Sequence, residues 1–287
     1  MRLQTRAPGK VNVCLLLGPP RAGDGRHELA SVVQAVTLAD RVVLETDSDA
    51  AADRVDCPGV DPAGNLALRA IELFRRATGW DGPPVLITID KRIPIAGGMA
   101  GGSADAGAVL RLLQLACGRP ELAQLESLAA ELGADVPSQV QPSRMLITGA
   151  GERLERIGGV ARFGIVAVPD NEGLATAAVF READRLGICR DAGELAAGIE
   201  RLRAALPDLP AELCVNELQP ATLSLRPRLG ATLDRLRDAG AGVAMIAGSG
   251  PTAIGLFHDA DAGRAAAATI PGAVFCRSAG REFAEVT

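Results

Sequence analysis

The sequence has no basic run, and Asp plus Glu outnumber Lys plus Arg by 35 to 30, for a net charge of -5. Without a positive stripe to neutralise phosphates, a nucleic-acid or anionic-membrane surface is not expected to be its main business, and a small-molecule substrate fits better. Long hydrophobic runs are also missing. The N-terminal "MRLQTRAPGKVNVCLLLG" holds only the apolar stretch 11–17, with no basic cluster before it and no small-residue cleavage site after it. Neither a signal peptide nor a membrane span is expected there. The six cysteines, at 14, 57, 117, 189, 214 and 276, form no C-x-x-C pair. Their scatter suggests neither a disulfide framework nor a zinc site, and they read as mostly buried apolar residues in a reducing, cytoplasmic compartment. There is no internal repeat, no low-complexity linker and no tyrosine.

What is present is an ordinary folded chain. Its 287 residues are 48% hydrophobic and 23% charged, enough for a sizeable core, and the length leans to two domains. Lysine is scarce: of 30 Lys plus Arg, only Lys10 and Lys91 are lysine. A chain this biased towards arginine keeps lysine where a fork-shaped guanidinium cannot replace a compact ammonium.

Along the chain, residues 11–17 read as a buried strand, "GPPRAGDGRHEL" as a loop and "DRVVLET" as a second strand. "NLALRAIELFRRATG" has helical spacing and a glycine stop, and "PVLITIDKRIP" alternates Val85, Ile87 and Ile89 as a half-buried strand does. "SADAGAVLRLLQLACG" reads as a helix with Ser103 at or near its N-cap; "ELAQLESLAAELG" reads as another, halted by Pro137. The first half closes around "MLITGAGERLERIGG". From about residue 161 the pattern restarts with the strand "FGIVAVP", helical segments over 174–239, the strands "VAMIAG" and "TAIGLF" around a "GSGP" turn, a helix from Asp259 and a last strand "AVFCRS". A domain boundary is expected near 158–159, giving domains 1–158 and 159–287 that pack tightly.

The stretch "PIAGGMAGGSADAG", residues 94–107, carries five glycines between a strand and a helix. Such a loop is a general anion site, because unpaired N–H groups and the helix dipole point into it and glycine has no Cβ to keep a phosphate away. The dinucleotide fingerprint G-x-G-x-x-G is absent, no lysine follows the glycines as a Walker loop requires, and Asp105 stands where the hydrolase elbow needs glycine. A plainer reading is that the glycines only let the helix pack closely on its neighbours. A phosphate loop without its own lysine must draw positive charge from a metal ion or a distant side chain, and Lys10 is the natural candidate.

"APGKVNVCLLLG", "GDGRHEL", "PIAGGMAGGSADAGAVL", "LGADVP", "NELQPA" and "AGSGPTAIGLF" occur in an order that resembles the GHMP small-molecule kinases over nearly the whole chain. The resemblance implies a two-domain α/β (α+β) fold, with an N-terminal ATP-binding domain and a C-terminal ferredoxin-like domain, in a monomer or homodimer. Within the family, "DG-x-HEL" and "GADVP" are similar to the branch that phosphorylates the 2-hydroxyl of a cytidine-diphosphate-linked methylerythritol in the MEP route to isoprenoid precursors. ATP and Mg²⁺ are then implied, with the phosphates over Pro94, Gly97, Gly98, Ala100, Gly101, Gly102 and Ser103, and Ser103 also at the metal.

Asp135 matches the family's catalytic aspartate, which orients an alcohol and accepts its proton, and Lys10 matches the lysine beside it, sharing charge on the transferring group. Asn65 matches a position near the adenine, although a helix N-cap explains it equally well. Asn12, His27, Phe180 and the turn Gly248, Ser249 and Gly250 match substrate contacts, with His27 bonding and Phe180 stacking on the base. Arg26 stands where the family has an aromatic opposite Phe180; a guanidinium plane can stack on a base too. After Pro137 the family continues with apolar residues and glycines, whereas here a polar strand over 138–144 leaves the aspartate. The alternatives are another GHMP kinase, for homoserine or a sugar, and a non-catalytic nucleotide-binding member.

Overall fold

The computed structural model describes residues 1–47, 49–95, 97–119, 121–158, 163–170 and 172–287. Six strands build its first sheet: β1 (Arg2–Pro20), β2 (His27–Thr46), β3 (Arg54–Asp56), β4 (Val85–Asp90), β5 (Arg144–Gly149) and β6 (Arg153–Arg156). β1 and β2 form a long antiparallel hairpin. On its other edge β2 is shared: its first half pairs with β5 and its second half with β4. Residues 7–18 of β1 are buried without a break, Lys10 and Asn12 included, because helices pack against the strand.

Four helices pack around this sheet: α1 (Leu66–Thr78), α2 (Gly101–Cys117), α3 (Leu122–Leu132) and the single-turn α4 (Val136–Val140). α1 begins where Asn65 Oδ1 accepts from Ala67 N at 2.9 Å and ends at Gly79 in the left-handed region. Its buried stripe, Ala67, Ala70, Ile71, Leu73 and Phe74, joins the main core with the inner face of α2.

The second sheet contains β7 (Gly164–Val168), followed by α5 (Thr176–Leu186), α6 (Ala192–Ala205), α7 (Gln219–Leu225) and α8 (Leu229–Asp238), then β8 (Val243–Ile246), β9 (Ala253–Phe257), α9 (Ala260–Thr269) and β10 (Val274–Arg277). The order β10-β7-β9-β8, all antiparallel, with α8 and α9 as crossovers, is the ferredoxin-like βαββαβ arrangement that the resemblance implies. One core cluster contains Ile165, Met245 and Ile254 as well as the first sheet, so the two halves share an apolar interior. Of the expected boundary, Gly158 is described and Gly159 lies outside the described residues.

Four local expectations are corrected. His27 is not in a loop: Pro20 pairs with His27, so only residues 21–26 turn, and His27 opens β2 in a buried position. Pro137 does not halt α3, which ends at Gly133; it sits in the first turn of α4, where a missing N–H costs nothing. The polar segment after it therefore starts as a helix, with Ser138 and Gln139 buried, and not as a strand. Ser103 lies near the N-cap of α2, as expected, without being the cap itself. Ala100, at φ 56°, precedes the helix and puts Ser103 in its third position. Only Cys14, Cys57 and Cys276 of the six free cysteines are buried, the other three being half-buried.

Candidate active site

The glycine stretch lies where the two sheets' loops meet. β1 fixes it from one side, Lys10 N donating to Met99 O at 3.0 Å. The β8–β9 connection fixes it from the other. Gly98 has φ 77°, and a Cβ there would lie 2.7 Å from Gly250 O and 2.9 Å from Ala247 O, so backbone packs on backbone and only glycine fits. Close packing also explains Gly107, where a Cβ would meet Gln139 O of α4 at 2.5 Å. Gly102 is different: a Cβ there would have nothing nearer than Leu66 Cδ1 at 4.0 Å. Here the loop faces open space at the N-terminus of α2, and the Ser103 hydroxyl beside it has no partner among the described residues. The same stretch thus serves packing at 98 and 107 and leaves a cradle at 102–103.

That cradle opens into a cavity of about 1000 Å³. All seventeen residues singled out from the sequence line it, from Lys10, Asn12 and Asn65 through the loop and Asp135 to Arg26, His27, Phe180 and the 248–250 turn. The Lys10 ammonium donates to Asn12 Oδ1 at 2.8 Å, and Asn12 Nδ2 donates to Ser31 Oγ at 2.7 Å, a chain that anchors the lysine across the hairpin. Lys10 is buried; its Nζ lies 3.9 Å from Asp135 Oδ2, whose side chain is 49% exposed. Gly248 completes the corner: a Cβ on it would lie 3.0 Å from Asn12 Oδ1 and 3.7 Å from Lys10 Nζ.

At the far end, His27 Nδ1 is 2.9 Å from Gly18 O, Nε2 is 3.0 Å from Asp184 Oδ1, and the ring lies 5.4 Å from that of half-buried Phe180. Phe180 also packs against the apolar cluster that contains Leu15, Val179 and Leu218, so its core role and its place in the cavity coexist. Arg26 donates to Ala150 O at 2.6 Å, which holds its guanidinium at the rim.

The models of the GHMP kinases N terminal domain and the GHMP kinases C terminal domain match residues 65–141 and 186–272. The chain is 41% identical, over 96% of its length and 89% of the relative's, to a 4-diphosphocytidyl-2-C-methyl-D-erythritol kinase of Saccharopolyspora erythraea. It is 42% identical to one of Streptomyces coelicolor, over 96% of this chain and 95% of that one. The chain belongs to the GHMP kinases, in the 4-diphosphocytidyl-2-C-methyl-D-erythritol kinase family. A crystal structure of a 4-(cytidine 5'-diphospho)-2C-methyl-D-erythritol kinase superposes with a TM-score of 0.79 at 30% identity, covering 96% of this chain and 100% of that one. Homoserine kinase from Cytophaga hutchinsonii, at 17% identity and a TM-score of 0.72 over 100% and 97% of the two chains, shares the fold. Membership implies ATP as the phosphate donor to a small-molecule acceptor. No helix among the described residues is long and apolar enough to cross a membrane.

This GHMP kinase has site residues that sequence reasoning missed. Lys91 is the clearest. Its ammonium is buried between Asp40 Oδ2, at 2.5 Å, and Asp105 Oδ2, at 2.8 Å, and a Cβ on Gly101 would lie 3.2 Å from it. Burial alone would push Lys91 down, but the carboxylates of Asp105 and Asp40 outweigh it and hold the lysine above its ordinary range. Burial, reinforced by Asp40, pushes Asp105 up to about 7 against the pull of Lys91, and its Oδ1 is buried without a partner. The signal was available: the scarcity argument applies to both lysines, and both line the cavity. Asn216 was also missed. Its Nδ2 donates to Ile246 O and Gly248 O, both at 2.7 Å, and so holds the 248–250 turn. Arg111 of α2 donates to Gln139 O and Arg6 O, locking α4, whose N-cap residue is Asp135.

Proposed function

We propose that this kinase transfers the γ-phosphoryl group of ATP to the 2-hydroxyl of 4-diphosphocytidyl-2-C-methyl-D-erythritol, a cytoplasmic step of the MEP route to isoprenoid precursors. The observation that carries the reading is the Lys10–Asp135 pair, 3.9 Å apart where the glycine loop and the 248–250 turn meet. Phosphoryl transfer asks a protein for position and charge, and little covalent help. In this reading Asp135, reachable from the cavity, orients the acceptor hydroxyl and takes its proton. Lys10, held by Asn12, lies against the charge that builds on the transferring group. Residues 1–158 form the ATP-binding domain, with Asn65 near the adenine and the phosphates over residues 94–103; residues 159–287 form the second domain.

The oxygen donors here suit Mg²⁺: the free Ser103 hydroxyl is a hard ligand beside an open cradle. Ser103 would hold it together with the triphosphate, and the ion would neutralise charge on the phosphate oxygens. Of the base contacts, His27 and Phe180 share the far end of the cavity, and Arg26 offers its plane where the resemblance leads one to expect an aromatic ring.

The test is an ATP-to-ADP coupled assay with the cytidine substrate, run beside Asp135→Asn. The expected outcome is turnover that falls roughly 10²-fold or more in the variant, the range for a positioned proton acceptor. Turnover only with homoserine or a sugar from an acceptor panel would replace the substrate and keep the kinase. ATP binding without turnover on any acceptor would leave a nucleotide-binding module.

A further inference from the structure

His27 is far in sequence from Asp184 and Cys189 but adjacent to both in space: it is the first residue of β2, whereas Asp184 is in the last turn of α5 and Cys189 lies just beyond Gly187, which ends that helix in the left-handed region. One imidazole nitrogen, one carboxylate oxygen and the sulfur all lie within 4.8 Å of one another. His27 Nε2 is 3.0 Å and Cys189 Sγ 4.0 Å from the same oxygen, Asp184 Oδ1. Zinc binds nitrogen, oxygen and sulfur at roughly 2.0–2.3 Å, so a tetrahedral site spaces its donors about 3.3–3.7 Å apart. Shifts of a few tenths of an ångström would bring these two spacings into that range; Cys189 Sγ, which lies 3.7 Å from His27 Nδ1, would turn towards the Nε2 side of the ring on binding.

The second nitrogen of His27 strengthens the case. Gly18 O, 2.9 Å from Nδ1, can only accept, so Nδ1 carries a proton and the ring's orientation is fixed. A backbone carbonyl behind a histidine is the usual support of a metal ligand, leaving Nε2 as the donor. Nε2 in turn faces a carboxylate. Two acceptors on opposite sides are satisfied either by an imidazolium or by a neutral ring with a cation between Nε2 and Asp184. A thiolate, an imidazole and a carboxylate together favour zinc and its late first-row neighbours over Mg²⁺. The Asp184 side chain is 53% exposed and Cys189 is half-buried, so an ion can enter from solvent.

We propose that His27, Asp184 and Cys189 form a site for zinc or a similar late first-row divalent cation at the base end of the cavity. On binding, the Cys189 thiol releases its proton to solvent and sulfur binds as thiolate, while Nδ1 keeps its proton on Gly18 O. Because His27 lines the cavity, an ion there occupies the group that the proposed function gives to the cytosine. This consequence, unlike the site itself, rests on that reading.

Cobalt(II) tests the site without reference to kinase activity. Titration of the full chain, reduced and freed of metal, is expected to give a thiolate-to-cobalt charge-transfer band in the near ultraviolet that saturates at one equivalent and disappears on adding zinc. Cys189→Ala should lose the band and keep its metal-free kinase rate; Asp184→Asn, at an exposed position, should keep the band with weaker binding. No band in the unaltered chain would overturn the site and leave an ion pair only. A band that survives in Cys189→Ala would overturn it too, assigning the thiolate to another of the cysteines. In the coupled assay, zinc is expected to raise KM for the cytidine substrate and not for ATP. A cobalt band without that rise would keep the metal site and remove His27 from the substrate contacts.

Discussion

The two ends of the cavity hold their charges in opposite ways. At the phosphate end, Lys91 is enclosed by Asp105 and by Asp40, which is fully buried, and Asp40 also accepts from the backbone of Arg92 and Ile93. At the base end, His27 leans on the exposed carboxylate of Asp184, and Arg26 hangs from a carbonyl at the rim. The first arrangement is part of the core and cannot change without unfolding something. In the second, His27 is buried but its partner Asp184 and its neighbour Arg26 are exposed, so solvent can replace them. Binding a triphosphate is a requirement shared across a kinase family, whereas recognising one base is a local choice. Under the proposed function, the difference in burial follows that difference in task.

The sharpest way to break the comparison is Lys91→Met. Removing one partner from a buried charge cluster leaves the carboxylates uncompensated, at an expected cost of about 3–5 kcal/mol, read from the urea midpoint. Lys10→Met should cost at most about 1 kcal/mol on the same measurement, because its partner Asp135 is half-exposed and stays solvated. Equal losses would mean that the two lysines are held alike.

Gly98→Ala is expected to destabilise by about 1–3 kcal/mol, since its backbone is in the left-handed region and its Cβ would strike Gly250 O. Gly102→Ala has open space and a helical position, so stability should hold or improve, by up to about 1 kcal/mol, while KM for ATP rises. If Gly102→Ala leaves that KM unchanged, the cradle lies elsewhere.

A pH series on stability sharpens the contrast further. With its folded pKa raised from 3.8 to about 7, Asp105 holds a proton in the folded chain that it has lost in the unfolded one. Its stabilising contribution is complete below about pH 4 and is lost as pH rises through about 7, so midpoints should fall over that window. Asp105→Asn, which cannot ionise, should flatten the fall. At the base end, Arg26→Ala should shift the midpoint by no more than about 0.5 kcal/mol, as an exposed substitution does.

Much of the phosphate end was legible before folding, because the chemistry there leaves compositional marks. Glycine density marked the loop and lysine scarcity marked Lys10, whereas Asp135 in "GADVP" was legible only through resemblance. Lys91 carried the same mark and was passed over, since nothing local connects it to Asp40 and Asp105, 51 and 14 residues away. The base end was legible only through resemblance. An isolated histidine after a Gly/Pro-rich stretch reads as a loop residue, and the strand that contains it appears only when Pro20 is seen to pair with it.

The sequence by itself determined the elements whose signals are local: the capped amphipathic α1, the alternating β4, the glycine-bounded α2 and the strand–helix order of the second half. These depend on backbone conformation and burial within a few residues. The tertiary structure decided which glycine serves packing and which faces open space, that Pro137 starts a helix, and that Lys91, Asn216 and Cys189 lie beside residues of the cavity. Such facts depend on what a residue meets across the chain, and a linear sequence does not carry that distance.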